Sequence, residues 1–66
     1  MGIGDRIKEL RLGRSITRKK FAEIIGVSRS IIYAWETNIK QPSLFNAMCI
    51  AQFFGVTIDY IATGES

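Results

Sequence analysis

Apolar residues recur along the chain at helical spacing. Ile3, Ile7 and Leu10 lie three or four positions apart with charged residues between them, which predicts an amphipathic helix over residues 3–12. Gly13 follows as a residue typical of a position just past a helix end. The same periodicity predicts four further helices, at residues 18–25, 29–37, 44–54 and 58–62.

The predicted helix ends carry recognisable capping residues. Each helix after the first is preceded by a hydroxyl residue, which can accept a hydrogen bond from the free amides of the first turn; these are Thr17, Ser28, Ser43 and Thr57. Residues that tolerate positive φ follow the helices, namely Gly26, Asn38, Gly55 and Gly64. No segment alternates apolar and polar residues with a period of two. The sequence therefore predicts an all-α fold, one domain over residues 1–66 with five short helices.

The second and third predicted helices are joined by a very short segment that contains Gly26. This spacing is typical of a helix-turn-helix, in which the first helix crosses the DNA backbone and the second enters the major groove. The pattern alone is weak evidence, because any compact helical protein can contain such a pair.

The charges are unevenly distributed. Residues 1–40 hold all nine lysines and arginines with four of the six acidic residues, a net charge of +5. Residues 41–66 hold two acidic residues and no basic one. An asymmetry of this kind predicts that one half of the chain faces a polyanion.

Composition excludes several other classes of protein. One cysteine and no histidine leave no internal disulfide and no zinc site, and they fit a reducing compartment. No apolar run approaches the roughly 18 residues of a membrane span, and the first residues do not resemble a signal peptide. No nucleophile–base set, phosphate loop or metal-ligand cluster is present, so we expect neither an enzyme nor a cofactor.

Stretches of the sequence, taken in order, resemble the Cro/C1-type (XRE-type) repressor family. They are Ile3–Arg11, Ile16-Thr17 with Phe21-Ala22, Gly26–Ser30 with Ile32, Trp35 and Glu36, Gln41–Leu44, and Gly55–Tyr60. The resemblance covers nearly the whole chain. It implies a five-helix fold of the lambda-repressor-like type whose helices 2 and 3 form the helix-turn-helix. It also implies sequence-specific binding of double-stranded DNA by a phage or bacterial repressor, acting as a dimer on a (pseudo)palindromic operator.

The third predicted helix is expected to have an inward side and a base-reading side. Around it, Ile32, Trp35 and Glu36 fall on one side. The resemblance implies that these pack inward and that the other side reads bases in the major groove. The base-reading candidates are Arg29, Ser30, Tyr33 and Ala34. Arg29 is the candidate for a bidentate contact to guanine; a solvated Arg29, and a Tyr33 packed along the helix, are the alternatives.

Phosphate contacts are predicted on both flanks of this helix, at Thr17, Arg18, Lys19, Thr37, Asn38 and Lys40. Cations in the first turn of the second helix oppose its dipole, and Lys20 stands where the family has a capping Glu. A phosphate at that N-terminus would offset the cost; a solvated charged patch is the alternative. Where Arg18 stands, the family more often has Gln. Arg14 is a further phosphate candidate. The resemblance also implies a structural ion pair between Arg11 and Glu36.

The fourth helix is apolar on two sides. Its inward stripe is predicted to be Leu44, Ala47, Ile50, Ala51 and Phe54. A second apolar line suggests a homodimer interface formed by Phe45, Cys49 and Phe53 with Tyr60 and Ile61 of the fifth helix. The alternative is that the fifth helix and the C-terminal residues cover this line. Cys49 is interpreted as a small buried hydrophobe rather than a redox sensor.

Other functions use the same kind of domain. An antitoxin, a restriction-modification controller, or the DNA-binding part of a longer repressor would each fit the sequence. A protein-interaction module that has lost DNA binding would also keep this fold, although Arg29 and the Arg18–Lys20 cluster argue against it. The expected location is the cytoplasm of a bacterial or phage-infected cell, at the nucleoid.

Overall fold

A computed structural model describes residues 1–65, and these form five helices with no strand among them. The helices are α1 (Ile3–Gly13), α2 (Arg18–Ile25), α3 (Arg29–Glu36), α4 (Leu44–Phe54) and α5 (Ile58–Thr63). Each begins at the predicted residue and ends within one residue of the predicted end. The all-α prediction is confirmed.

Hydroxyl side chains cap the N-termini of four of the helices. The Oγ1 of Thr17 accepts a hydrogen bond from the Lys20 amide at 3.1 Å. Ser28, Ser43 and Thr57 accept equivalent bonds from the amides three residues later. These bonds satisfy donors that have no partner inside the helix.

The end of α1 differs from the prediction. Gly13 is the last residue of the helix instead of the residue beyond it. The positive φ occurs at Ser15, at 56°. The amides of Arg14 and Ser15 donate to the carbonyls of Arg11 and Leu12, so the helix closes in a tight last turn before the chain reverses.

The core takes side chains from all five helices. Its buried apolar members are Ile7, Phe21, Ala22, Ile32, Trp35, Ile50, Ala51, Phe54 and Ile61. The Phe21 and Phe54 ring centroids lie 5.4 Å apart, and Phe53 packs edge-on against Phe54 at 4.9 Å. The Phe21–Phe54 contact joins α2 to α4.

The first turn of α1 packs closely against the end of α3. A Cβ on Gly4 would lie 1.9 Å from the Trp35 carbonyl oxygen, so only glycine fits there. The Asn38 side chain accepts a hydrogen bond from the Gly4 amide at 2.9 Å and donates to the Asp5 carboxylate at 3.3 Å. Asn38 has a φ of 62°. Hydrogen bonds from the Gly2 amide and from Asn38 hold the pKa of Asp5 below its ordinary value.

Arg6 connects the two ends of the chain. Its side chain is buried, and its guanidinium donates to the carbonyl oxygens of Ile61 at 2.9 Å and Ala62 at 2.8 Å. It also donates to the Met1 carbonyl oxygen at 3.1 Å. A cation at this position satisfies the last carbonyls of α5 and complements the helix dipole.

Two predictions about the last two helices are wrong. Leu44 was assigned to the inward stripe of α4, but it is 70% exposed because the first turn of α4 extends beyond the core. Ile61 was a dimer-interface candidate, but it is 2% exposed and belongs to the core. Core and interface positions share one apolar periodicity, so the pattern could not separate them.

Candidate nucleic-acid interface

A tight turn sets the angle between α2 and α3. The turn consists of Gly26, Val27 and Ser28, and Gly26 adopts the left-handed conformation with φ of 87°. The amides of Gly26 and Val27 both donate to the Ala22 carbonyl, at 2.8 and 3.0 Å. Ile32 and Trp35 bury the inner side of α3. The helix is thereby held with its other side outward.

An open cleft of about 800 Å³ lies between the first turns of α2 and α3. It is lined by Arg11, Thr17, Arg18, Lys19, Arg29, Ser30 and Tyr33. Six of these were predicted to contact bases or phosphates, and the fold brings them to one surface. Arg18, Lys19 and Arg29 give the cleft a positive charge, which favours an anionic partner.

The other predicted contact residues lie at and beyond the end of α3. Ala34 is half-buried and the rest are exposed: Thr37, Asn38 and Lys40. The Thr37 hydroxyl donates to the Tyr33 carbonyl at 2.8 Å. The amides of Ile39 and Lys40 both donate to the Ala34 carbonyl, so the loop folds back over the end of the helix. Lys40 remains exposed to solvent.

Arg11 and Glu36 form the ion pair that the resemblance implied. The Nε of Arg11 lies 2.6 Å from Glu36 Oε2, and its Nη2 lies 3.0 Å from Oε1. The Glu36 side chain is 0% exposed. The pair is bidentate and buried, and it joins α1 to α3. Arg11 also donates to the Ile16 carbonyl at 2.9 Å.

Arg18 makes contacts that sequence reasoning missed. Its Nε donates to Glu36 Oε1 at 2.9 Å, and its guanidinium carbon lies 5.4 Å from the centroid of the Tyr33 ring. The side chain is 34% exposed. One carboxylate thus holds two arginines, and the predicted phosphate ligand is also part of the protein's own packing.

Two other predicted phosphate-contact residues have side chains that form hydrogen bonds within the domain. The side chain of Asn38, a predicted phosphate contact, caps α1 through Gly4 and Asp5. Arg14 donates to the carbonyls of Phe53 and Phe54, and its guanidinium lies over both rings at 5.3 and 5.4 Å. Arg14, the further phosphate candidate, therefore caps the last carbonyls of α4.

Within residues 1–65, no helix has the length and hydropathy needed to cross a membrane. In the same part of the chain, no group of three His, Cys, Asp or Glu side chains is placed to hold a metal ion.

The fixed pair of helices with a basic cleft defines a helix-turn-helix domain. The family model described as "Helix-turn-helix" matches residues 7–61. The chain belongs to this family, as predicted. Its named relatives are transcriptional regulators and not enzymes, also as predicted.

The chain is similar to the HTH-type transcriptional activator BcrR of Enterococcus faecalis, at 37% identity over 98% of this chain. It spans only 32% of the length of BcrR. An uncharacterised HTH-type transcriptional regulator of Methanocaldococcus jannaschii is 40% identical over 86% of each chain.

Among solved structures, the P22 c2 repressor in complex with a synthetic operator superimposes with a TM-score of 0.93. It is 25% identical in sequence, and the match covers 98% of each chain. The five-helix repressor-type fold is confirmed.

Proposed function

We propose that this chain is the DNA-binding domain of a transcriptional regulator and that it inserts α3 into the major groove of double-stranded DNA. One observation carries the proposal. The exposed cations Lys19 and Arg29 share an open cleft with the outward side of α3, beside the ion-paired Arg18. A groove-entering helix flanked by phosphate-binding cations needs this arrangement.

The exposed residues divide into two roles. Arg29 would read guanine, with Ser30, Tyr33 and Ala34 beside it on the outward side of α3. Phosphate contacts would come from Thr17 and Lys19 on one flank and from Thr37 and Lys40 on the other. Only Arg29 among the base-reading residues is charged, so much of the affinity would come from the flanks.

The class of target is DNA carrying a regulatory site. The P22 c2 repressor is named as a repressor in complex with an operator, and BcrR is named as an activator. These names support a regulatory role and leave both directions of regulation open. A regulator of this kind acts in the compartment that holds the DNA, which would be the cytoplasm of a bacterial or phage-infected cell.

The test is selection of bound duplexes from a random pool, followed by affinity measurements over a range of salt concentrations. We expect a recovered motif and an affinity that falls linearly on logarithmic axes. Lys19→Gln should lower the slope by about 1, because one phosphate contact is lost. Lys8→Gln, an exposed lysine of α1 outside the cleft, is the matched control and should leave the slope unchanged. Binding that does not respond to salt would instead favour a protein-interaction module.

A second copy of the chain is the proposed partner at the start of α4. Three large apolar side chains are exposed on this helix, Leu44 at 70%, Phe45 at 71% and Met48 at 48%. At helical spacing they are neighbours on one surface. They lie in the half of the chain without lysine or arginine, so pairing through them would leave both basic halves available to DNA.

The dimer surface differs from the one predicted. Ile61 is in the core, and Phe53 is covered on one side by Arg14. Cys49 and Tyr60 are half-buried. The proposed interface is therefore centred on Phe45 and Met48. Two copies related by a two-fold axis would read half-sites about 34 Å apart on the duplex.

A further inference from the structure

The Glu36 carboxylate is a rigid anchor behind α3. It is fully buried, and the guanidinium of Arg11 binds both of its oxygens. Charge balance at this carboxylate requires one cation, and Arg11 supplies it. Arg18 is a second cation on the same carboxylate, bonded through Nε at 2.9 Å. Its presence needs a reason beyond neutralising Glu36.

The position of the Arg18 guanidinium supplies that reason. Anchored at one end by Glu36, it lies 5.4 Å from the centroid of the Tyr33 ring. Tyr33 is 52% exposed on the outward side of α3. A half-exposed tyrosine without a neighbour samples several ring orientations, whereas a cation at this distance favours one.

We propose that Arg18 is a specificity-determining residue that positions the Tyr33 ring against one base pair of the major groove. The chemistry of the ring fits an apolar contact to a thymine methyl group. Glu36 fixes the Arg18 guanidinium through a hydrogen bond, the guanidinium restricts the orientation of the Tyr33 ring, and the ring contacts the base. The inference rests on the proposed function, since it requires α3 to lie in the groove.

This role differs measurably from a phosphate contact. A phosphate contact weakens binding to all sequences equally when it is removed, and it lowers the salt slope. A positioning residue acts through Tyr33, so its loss reduces discrimination at one base pair only. Lys19 lies beside Arg18 in the same first turn with the same charge and is exposed. It is the matched control.

The experiment measures binding of five variants, one of them the control Lys19→Gln, to the selected duplex and to all its single-base-pair substitutions, across a salt series. Tyr33→Ala identifies the base pair that the ring reads. Arg18→Gln removes the cation, and Arg18→Lys keeps the charge but loses the planar group that reaches Glu36 and Tyr33 together. The double variant Arg18→Gln with Tyr33→Ala tests whether the two residues act through one another. Thermal unfolding verifies that each variant is folded.

We expect Arg18→Gln to lose about two- to fivefold in discrimination at the Tyr33 base pair and nowhere else. Arg18→Lys should lose it too, and the double variant should lose no more than Tyr33→Ala alone. Lys19→Gln should do the opposite, with a uniform loss of affinity and a lower salt slope.

Two results would overturn the inference. In one, Arg18→Gln behaves like Lys19→Gln; in the other, Tyr33→Ala loses discrimination at no base pair. Either can occur while the wild-type protein selects a clear motif, so the proposed function would stand. A wild-type protein that selects no motif would instead overturn the proposed function. If Arg18→Gln fails to fold, Arg18→Lys alone decides between the two roles.

Discussion

At the scale of single residues, the domain depends on charged groups that are buried and hydrogen-bonded. Arg6, Arg11 and Glu36 are all buried, and no buried side-chain nitrogen or oxygen among residues 1–65 lacks a hydrogen-bond partner. Removing Arg11 takes from the buried Glu36 carboxylate its bidentate partner, and removing Arg6 takes from three carbonyl oxygens their donor. These residues should therefore be sensitive to substitution although none of them reads DNA.

Arg11→Met is expected to lower the free energy of unfolding by about 3–5 kcal/mol, because Glu36 then keeps only the half-exposed Arg18. Urea denaturation measures this. Arg11→Lys keeps the charge and should cost less. Arg29→Met is the exposed control and should change the free energy by no more than about 0.5 kcal/mol. Equal losses for Arg11→Met and Arg29→Met would contradict the structural role of the pair.

Asp5 makes the stability of the fold depend on pH in the acidic range. Its pKa is lowered in the folded protein by hydrogen bonds from the Gly2 amide and from Asn38. The ionised carboxylate therefore stabilises the fold above its unfolded-state pKa, and that contribution disappears as the pH falls through the lower folded-state value. We expect the unfolding temperature of the wild type to fall below about pH 4.

Asp5→Asn cannot titrate and should lose less stability between pH 6 and pH 2, as should Asn38→Ala, which removes one of the two hydrogen bonds. Thermal unfolding followed across this pH range makes the comparison. An acid-dependent loss in Asp5→Asn as large as in the wild type would assign the effect to other carboxyl groups.

At the scale of the helices, α1 supports the proposed reading helix from behind. Its first turn touches the end of α3 through Gly4, and its last turn holds Glu36 through Arg11. The position of α3 is therefore set partly by α1, which lies outside the helix-turn-helix.

Gly4→Ala and Gly13→Ala form a matched pair in α1. An added methyl group at Gly4 meets the Trp35 carbonyl oxygen, whereas at Gly13 it meets nothing within 4 Å. Gly4→Ala should destabilise by about 1–3 kcal/mol through overpacking. Gly13→Ala should stabilise by about 0.4–1 kcal/mol, because alanine loses less backbone freedom on folding. Chemical denaturation compares them, and a stabilised Gly4→Ala would refute the close contact.

At the scale of the whole molecule, the two faces have different partners in the proposed function. The basic cleft faces DNA, and the exposed apolar residues of α4 face a second copy. Small domains bury a modest fraction of their surface, so pairing would also add stability.

Phe45→Glu should convert a dimer to a monomer, because it places a charge at the centre of the apolar surface. Light scattering or sedimentation gives the mass in solution. Leu12→Glu is the control, since Leu12 is also an exposed apolar residue, at 55%, but lies on α1. A mass that Phe45→Glu leaves unchanged excludes this interface.

Local features of the sequence predicted most of the fold. Hydroxyl caps fixed where helices begin, and glycines fixed where three of them end. The two sides of α3 followed from helical periodicity, whereas the assignment of the outward side and the Arg11–Glu36 pair came from family resemblance. The caps and the periodicity act within one or two turns, so they can be recognised in the sequence.

Contacts between distant residues were not predictable in this way. Arg18 and Glu36 are 18 residues apart, and Arg14 reaches Phe54 across 40. The sequence does not distinguish an arginine that binds a phosphate from one that caps the carbonyls at a helix C-terminus. Only the packed structure separates these roles.

The buried Arg6 side chain has a consequence for how the domain opens. A six-residue helix such as α5 is too short to persist alone in water. Because Arg6, on α1, binds the last carbonyls of α5 and the Met1 carbonyl together, we expect local opening of α5 to be coupled to local opening of α1. Amide protons in α1 and α5 should therefore exchange with solvent at matched rates.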